Sequence, residues 1–318
     1  MSLGEFELIR HYFSEKQPSH AETLLGIGDD AALIRWPFDG EVLAVTVDTL
    51  VEGVHFLPGT DPERLGHKAL AVNLSDLAAM GARPRWVTLA LTLPEANACW
   101  LEAFSQGFFR LARCHAVELI GGDTTRGPLS ISVQAMGSVP ANCPLKRAGA
   151  ASGDGIYLSG QLGSAGLGLK MLLGQTASVD AACVLHQEQP EPRVALGLAL
   201  RGLASACIDV TDGLAADLGH ILTASAVGAE LVFEDLPLAP AVQHHIETTG
   251  DWMQPLLAGD DYELCFTLPA CHEPRLRELC TATPCTRIGR IVESASSSLQ
   301  ISRAGQPVTL PRKGYEHF

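Results

Sequence analysis

Gly26-Ile27-Gly28-Asp29-Asp30 ends in two adjacent carboxylates at the border of an apolar segment, Ala31-Ala32-Leu33-Ile34. The glycines bend the backbone. Neighbouring aspartates beside an apolar core are costly unless a cation or hydrogen bonds compensate them. One Gly-Asp pair reads as a turn, but this arrangement recurs. Asp48, Asp76, Asp123, Asp209 with Asp212, and Asp260 with Asp261 each stand by an apolar run and beside Thr, Ser or Gly.

Outward from that stretch, the pattern predicts a short amphipathic helix over 6–13, with Phe6, Ile9 and Phe13 on one face. Strands follow over 31–34 and 42–47, joined through Pro37-Phe38-Asp39-Gly40, and the second runs into Asp48-Thr49. Residues 62–80 have helical period and stop at Gly81. A strand over 86–93, a helix over 97–114 and a strand over 118–120 lead into a turn, Gly121-Gly122-Asp123-Thr124-Thr125. Another strand covers 129–137. Past a boundary near 140–144, strands are expected over 155–158, 207–208, 230–233 and 262–266. Helices are expected after the glycines 160–168, over 193–204 and over 214–225. Regular β-α-β alternation is missing, which predicts an α+β fold. The first domain, 1–140, carries a mixed or antiparallel sheet with helices on one face. The second, 141–318, is an α/β sandwich.

A chain of 318 residues with 47% hydrophobic content has ample core for one large or two medium domains. Its net charge of −14 argues against a nucleic-acid binder, which needs a basic face. Nine cysteines, at 99, 114, 143, 183, 207, 265, 271, 280 and 285, include no Cys-x-x-Cys and read as buried free thiols. Cys271, Cys280 and Cys285 with His272 match no standard zinc spacing. The N-terminus lacks the order of a signal peptide, and no apolar run approaches the ~20 residues of a membrane span. The expected location is the cytoplasm.

The acids point to hard cations. Mg²⁺ takes oxygen ligands, usually one or two carboxylates, with waters and phosphates filling the rest. Thr46, Thr49, Thr124 and Thr211 add oxygens beside them, which favours Mg²⁺ or Mn²⁺ over zinc or copper. Asp76 sits inside the apolar pattern of 62–80, where its neighbours point to burial. No Gly-x-x-x-x-Gly-Lys-Ser/Thr is present, so a P-loop is excluded, and the dinucleotide and protein-kinase signatures are missing too. Gly121-Gly122-Asp123 offers backbone N–H groups to phosphate. Arg147 reads equally as a phosphate clamp or a linker side chain, and His55 as a substrate contact or a strand-end residue.

Taken in order, Gly-Ile-Gly-Asp-Asp (26–30), Thr-Val-Asp-Thr-Leu (46–50), Gly-Val-His-Phe (53–56) and Ala-Val-Asn-Leu-Ser-Asp-Leu-Ala-Ala-Met-Gly-Ala (71–82) resemble the thiamine-monophosphate kinase family. So do Ile-Gly-Gly-Asp-Thr-Thr (120–125), Asp-Val-Thr-Asp-Gly-Leu (209–214), Gly-Asp-Asp-Tyr-Glu-Leu (259–264) and Lys-Gly-Tyr-Glu-His-Phe (313–318). The resemblance spans essentially the whole chain. It implies two α/β domains, a homodimer through N-terminal-domain sheets, and ATP with several Mg²⁺ ions in a cleft between domains; a part for K⁺ stays open. It also implies the site residues. Asp30, Thr46, the Val47 carbonyl, Asp48, Asp76, Asp123, Asp209 and Asp212 would hold metal. Gly122, Asp123, Arg147 and Thr211 would contact ATP, while His55, Asp260 and Arg312 would contact thiamine monophosphate. Position 260 is Asp where the family often has Glu, and Arg312 stands where relatives commonly place an aromatic.

The expected reaction is ATP + thiamine monophosphate → ADP + thiamine diphosphate, by in-line transfer without a catalytic base. A sister synthetase of the same superfamily, a metal phosphohydrolase and a non-catalytic Mg-nucleotide module remain open. Product identity separates them.

Overall fold

The computed structural model describes residues 9–14, 19–27, 31–36, 39–279, 283–294, 297–311 and 314–315. By its contacts the chain divides into one unit of Met1–Leu77 with Ala82–Asn142, and a second of Ala78–Gly81 with Cys143–Phe318.

The first unit opens on a π-helical turn, Ile9–Ser14, which buries Tyr12 and Phe13; Phe6 lies outside the described residues. Strands β1 (Thr23–Leu25) and β2 (Leu33–Ile34) pair antiparallel. The next strand in the sequence belongs to a different sheet. β3 (Glu41–Val51) instead joins a separate four-stranded sheet with β4 (Arg83–Leu93), β5 (Glu118–Arg126) and β6 (Ser130–Pro140). The order is β3-β6-β4-β5, antiparallel except for the parallel pair β4–β5. β3 and β5 are therefore the two edges. β3 shows Val42, Leu43, Val45 and Val47 to solvent.

Two helices complete this unit. α1 (Pro62–Ala79) begins with proline at its first position, and Asp61 caps it by accepting from the Arg64 N–H at 3.0 Å. Gly81 ends it at φ +62°, where Ala82 N–H donates to Leu77 O at 2.7 Å. α2 (Ala98–Cys114) is capped by Asn97, which accepts from the Trp100 N–H at 3.1 Å. The helices touch backbone to backbone. A Cβ on Gly66 would stand 2.1 Å from Phe104 O, and one on Gly107 would stand 1.8 Å from Glu63 O. Only glycine permits that approach.

The second unit holds a seven-stranded sheet in the order β13-β12-β9-β11-β7-β10-β8. Its strands are β7 (Gly155–Ser159), β8 (Ala206–Asp209), β9 (Gly228–Val232), β10 (Leu264–Leu268), β11 (Cys285–Val292), β12 (Leu299–Arg303) and β13 (Gln306–Val308). All neighbours are antiparallel except β9–β12. β7, β8 and β10 are buried at every position. Such strands read as continuous apolar runs rather than as alternation. The helices are α3 (Ser164–Leu172), α4 (Ala181–Glu188), α5 (Val194–Ala199), α6 (Leu214–Ser225), α7 (Pro240–Thr249), α8 (Gln254–Leu257) and α9 (Glu273–Leu279). Ile208, Leu218, Ile221 and Leu222 pack with Ile156, Leu158 and Ile288 in the main core.

Several expectations give way here. Gly166 and Gly168 lie inside α3, where a Cβ would meet the Ala258 side chain at 2.3 Å and Cys183 O at 2.1 Å. The helix expected over 193–204 is confined to Val194–Ala199. Cys183, Cys207 and Cys265 are buried free thiols, but Cys99, Cys114 and Cys271 are exposed. Cys280 lies outside the described residues.

Candidate functional site

In the first unit, strand alternation turns Thr46, Asp48 and Leu50 to one face of β3. Thr46 Oγ1 donates to Asp76 Oδ2 on α1, and Asp48 N–H donates to Asn73 Oδ1, one turn earlier on the same helix, at 3.2 Å. Asn73 is itself fixed, its amide donating to Ala69 O at 3.2 Å. Asp76 is the only residue from Leu65 to Ala79 that is not buried; the helix presents it and hides its neighbours. Burial, and then the Asp76 charge, push the Asp48 carboxyl up to about 7.

This group consists of hard oxygens: one hydroxyl and two carboxylates. No three His, Cys, Asp or Glu side chains converge into a metal cage among the described residues. The set thus suits an ion that takes one or two carboxylates and completes its shell with phosphate and water, as Mg²⁺ does. Asp30 lies outside the described residues.

Gly122 and Asp123 are elsewhere. The expected turn 121–125 is a continuation of β5, with Asp123 exposed and paired with Ala90. β5 is the opposite edge from β3, three strand spacings or about 14 Å away. One sheet does not bring Asp123 to Asp48. Gly122, at φ +148°, has a purely steric reason to be glycine: a Cβ would stand 1.9 Å from Leu89 O. His55 follows β3, its Nδ1 accepting from the Val51 N–H at 3.0 Å. That bond leaves Nε2 to carry the hydrogen of the neutral ring.

The second unit gathers its acids by a different device. β8 ends at Asp209, buried and paired with Leu264 of β10. Beyond the strand ends, the segments 209–213 and 259–263 stay zipped together. Val210 N–H donates to Glu263 O at 2.8 Å, Tyr262 N–H to Val210 O at 2.9 Å and Asp260 N–H to Thr211 O at 2.9 Å. A Cβ on Gly259 would stand 1.9 Å from Thr211 O, so the approach requires glycine. Asp209, Thr211, Asp212 and Asp260 are brought together. Arg147 is not: its side chain is exposed, and its carbonyl accepts from Ser225 Oγ at 3.2 Å, at the opposite end of α6 from Thr211. Arg312 lies outside the described residues.

The supporting residues escaped the sequence reading. Asp217, in the first turn of α6, accepts from the N–H groups of Thr211 at 2.9 Å and Asp212 at 3.0 Å. Burial, with the Asp212 charge, pushes its carboxyl up to about 7. Its signal was present, an acid four residues after the Gly213 cap. Asp261 accepts from Gly163 N–H at 2.8 Å and Ala165 N–H at 3.2 Å, capping α3. Burial pushes it up to about 7 as well. Glu263, buried, takes Arg193 Nε at 2.7 Å and Nη2 at 2.5 Å, and also Ser159 Oγ.

Comparison with known proteins matches residues 28–139 to the model of the AIR synthase related protein N-terminal domain, and 151–302 to that of its C-terminal domain. The chain is 46% identical to the thiamine-monophosphate kinase of Salmonella typhimurium, over 100% of this chain and 99% of that one. Among solved structures, the thiamine-monophosphate kinase from Stenotrophomonas maltophilia K279a is similar at 47% identity with a TM-score of 0.83, covering 91% of this chain and 93% of that one. A complex of AaThiL with AMPPCP and TMP is similar at 32% identity with a TM-score of 0.77, covering 92% of each chain.

Proposed function

The chain belongs to the thiamine-monophosphate kinase family, and we propose that it transfers the γ-phosphoryl group of ATP directly to thiamine monophosphate, giving ADP and thiamine diphosphate. The observation that carries this reading is the group of Thr46, Asp48 and Asp76, an all-oxygen set whose Asp48 carboxyl is pushed up by burial and then by a neighbouring carboxylate. A protein of net charge −14 that binds two polyanions needs cations between them.

The acceptor is a phosphate oxygen, already ionised at neutral pH, so no side chain has to remove a proton. Bound Mg²⁺ would supply neutralisation of phosphate charge and stabilisation of the transferring group. Thr46, the Val47 carbonyl, Asp48 and Asp76 would hold it at one edge of the first unit's sheet and Asp123 at the other, with Asp30 as a further ligand; Asp209 and Asp212 would do so in the second unit. Gly122, Asp123, Arg147 and Thr211 would orient ATP, and His55, Asp260 and Arg312 the thiamine monophosphate. The hydrogen bond at Nδ1 fixes the orientation of the His55 ring. A K⁺ requirement and the cytoplasm as its location belong to the same reading. Among the described residues, no helix is long and apolar enough to cross a membrane.

We also propose a homodimer through the first unit. β3 is a long edge strand with solvent-facing Val42, Leu43, Val45 and Val47, a surface that proteins normally cover.

The test is ADP release from Mg-ATP with and without thiamine monophosphate, the product identified by mass. Thiamine diphosphate formed in step with ADP is the expected result. ADP without that product would point to a phosphohydrolase or a sister synthetase, and no ADP under any condition to a nucleotide-binding module.

A further inference from the structure

The backbone of Thr211 and Asp212 is held from three directions in the chain. Both N–H groups donate to one buried oxygen, Asp217 Oδ2, at 2.9 and 3.0 Å. The Thr211 carbonyl accepts from the Asp260 N–H at 2.9 Å. Asp260 is itself tied to α4, where the Gln187 amide donates to its Oδ2 at 2.9 Å. The Asp212 carbonyl accepts from the Tyr315 N–H at 3.0 Å. Both N–H groups are thus spent inside the fold. Phosphate finds no backbone donor on these two residues, and the chemistry of the loop is carried by side chains.

The third hold is the least expected, because it comes from the far end of the sequence. Gly314 lies so close to the loop that a Cβ would stand 2.5 Å from Asp212 O and 2.7 Å from the Ala216 Cβ. Neither neighbour can yield. One is backbone, and the other is a methyl fixed directly to the first turn of α6. Glycine at 314 is what lets the Tyr315 N–H reach its acceptor. The accepting carbonyl belongs to the peptide that joins Asp212 to Gly213, and Gly213 sits at φ +111°. Glycine turns easily in either direction. Without the bond from Tyr315, that peptide has a ready pivot on one side.

We propose that Gly314 and the Tyr315 amide are positioning residues, which strap the Thr211–Asp212 loop into the conformation that takes up the magnesium–nucleotide complex. This rests on the reading that Thr211 and Asp212 serve ATP and its metal. The strap acts on the backbone of the loop, so its effect does not depend on what else the Asp212 side chain touches.

The experiment uses the full-length protein with Mg²⁺ and AMPPCP as the probe, and Kd is read by titration calorimetry. Backbone hydrogen exchange over 209–213 and Tm are read on the same samples without ligand. Tyr315→Pro removes the N–H and the ring, whereas Tyr315→Ala removes the ring alone. Tyr315→Pro is expected to speed exchange over 209–213 and to raise Kd about fivefold, the equivalent of about 1 kcal/mol. Tyr315→Ala is expected to raise Kd by less than twofold. Gly314→Ala, which keeps the N–H and displaces it, should resemble Tyr315→Pro. Asp212→Ala tests the underlying reading and is expected to weaken binding by more than any of these.

Equal effects of Tyr315→Pro and Tyr315→Ala would overturn the proposal, since the ring and not the amide would then matter. If Asp212→Ala weakens binding while Tyr315→Pro and Gly314→Ala leave Kd unchanged, the strap is overturned and the reading of Asp212 stands. If Asp212→Ala also leaves Kd unchanged, that reading falls, and this inference with it. Should Tyr315→Pro lower Tm sharply, Gly314→Ala decides, and wild-type exchange and Kd there would overturn the proposal.

Discussion

Asp48 and Asp76 face each other across β3 and α1 with a threonine hydroxyl and an asparagine amide as the neighbours that hold them in place. Asp217, Asp261 and Glu263 in the second unit each meet a dedicated set of donors. Two backbone N–H groups serve Asp217, two at a helix start serve Asp261, and a guanidinium serves Glu263. The first group is the one proposed to hold metal; the other shapes the loops on which Asp209, Asp212 and Asp260 sit. Half-buried carboxylates of the first unit and buried ones of the second thus differ in their donors.

The most damaging way to break this contrast is to remove a donor from the second group. Arg193→Ala leaves Glu263 buried without its guanidinium, and stability is expected to fall by about 3–5 kcal/mol in urea denaturation. In the first group the sign should reverse. Asp76→Asn removes a like charge from beside Asp48 and keeps an acceptor for Thr46, so Tm is expected to hold or rise. Turnover is expected to drop by about 10²–10³-fold, the usual cost of losing one stabiliser of transition-state charge. Wild-type turnover in that variant would remove Asp76 from the site.

A pH series sharpens the contrast further. Burial lifts Asp261 from its ordinary 3.8 to about 7 in the folded protein. The folded state therefore keeps the proton to higher pH than the unfolded chain does. That contribution to stability is fully present below about 3.8 and is lost as pH rises through about 7. Metal-free protein should lose up to about 1.4 kcal/mol per pH unit across this range from Asp261, and Asp217 acts in the same direction. Asp261→Asn should flatten the slope, as read by denaturation at a series of pH values.

The elements most legible in the sequence were those with local punctuation. Asp212-Gly213 announces α6, and Pro62 with Gly81 brackets α1. β5 was misread because Gly121-Gly122 suggests a turn. Pairing with β4 overrides that preference, and Thr124 and Thr125 are good strand residues. α4 went unseen because its cap is Asp180 and its apolar face is only a turn or two long. Asp48, Asp76, Asp209, Asp212 and Asp260 could be read as a set from their repeated setting. Their placement at different edges, and partners as remote as Gln187 and Arg193, could not. Those relations are created by strand order and by long-range packing, which a local pattern does not encode.

The paired glycines of the first unit have a mechanical consequence. With Gly66 seated on Phe104 O and Gly107 on Glu63 O, α1 has no room to slide or roll on α2. The two helices are expected to open and exchange their amide hydrogens as one cooperative body, which native-state hydrogen exchange checks. Asp76 is then carried on a beam whose position is set ten residues upstream, at a place with no chemistry of its own.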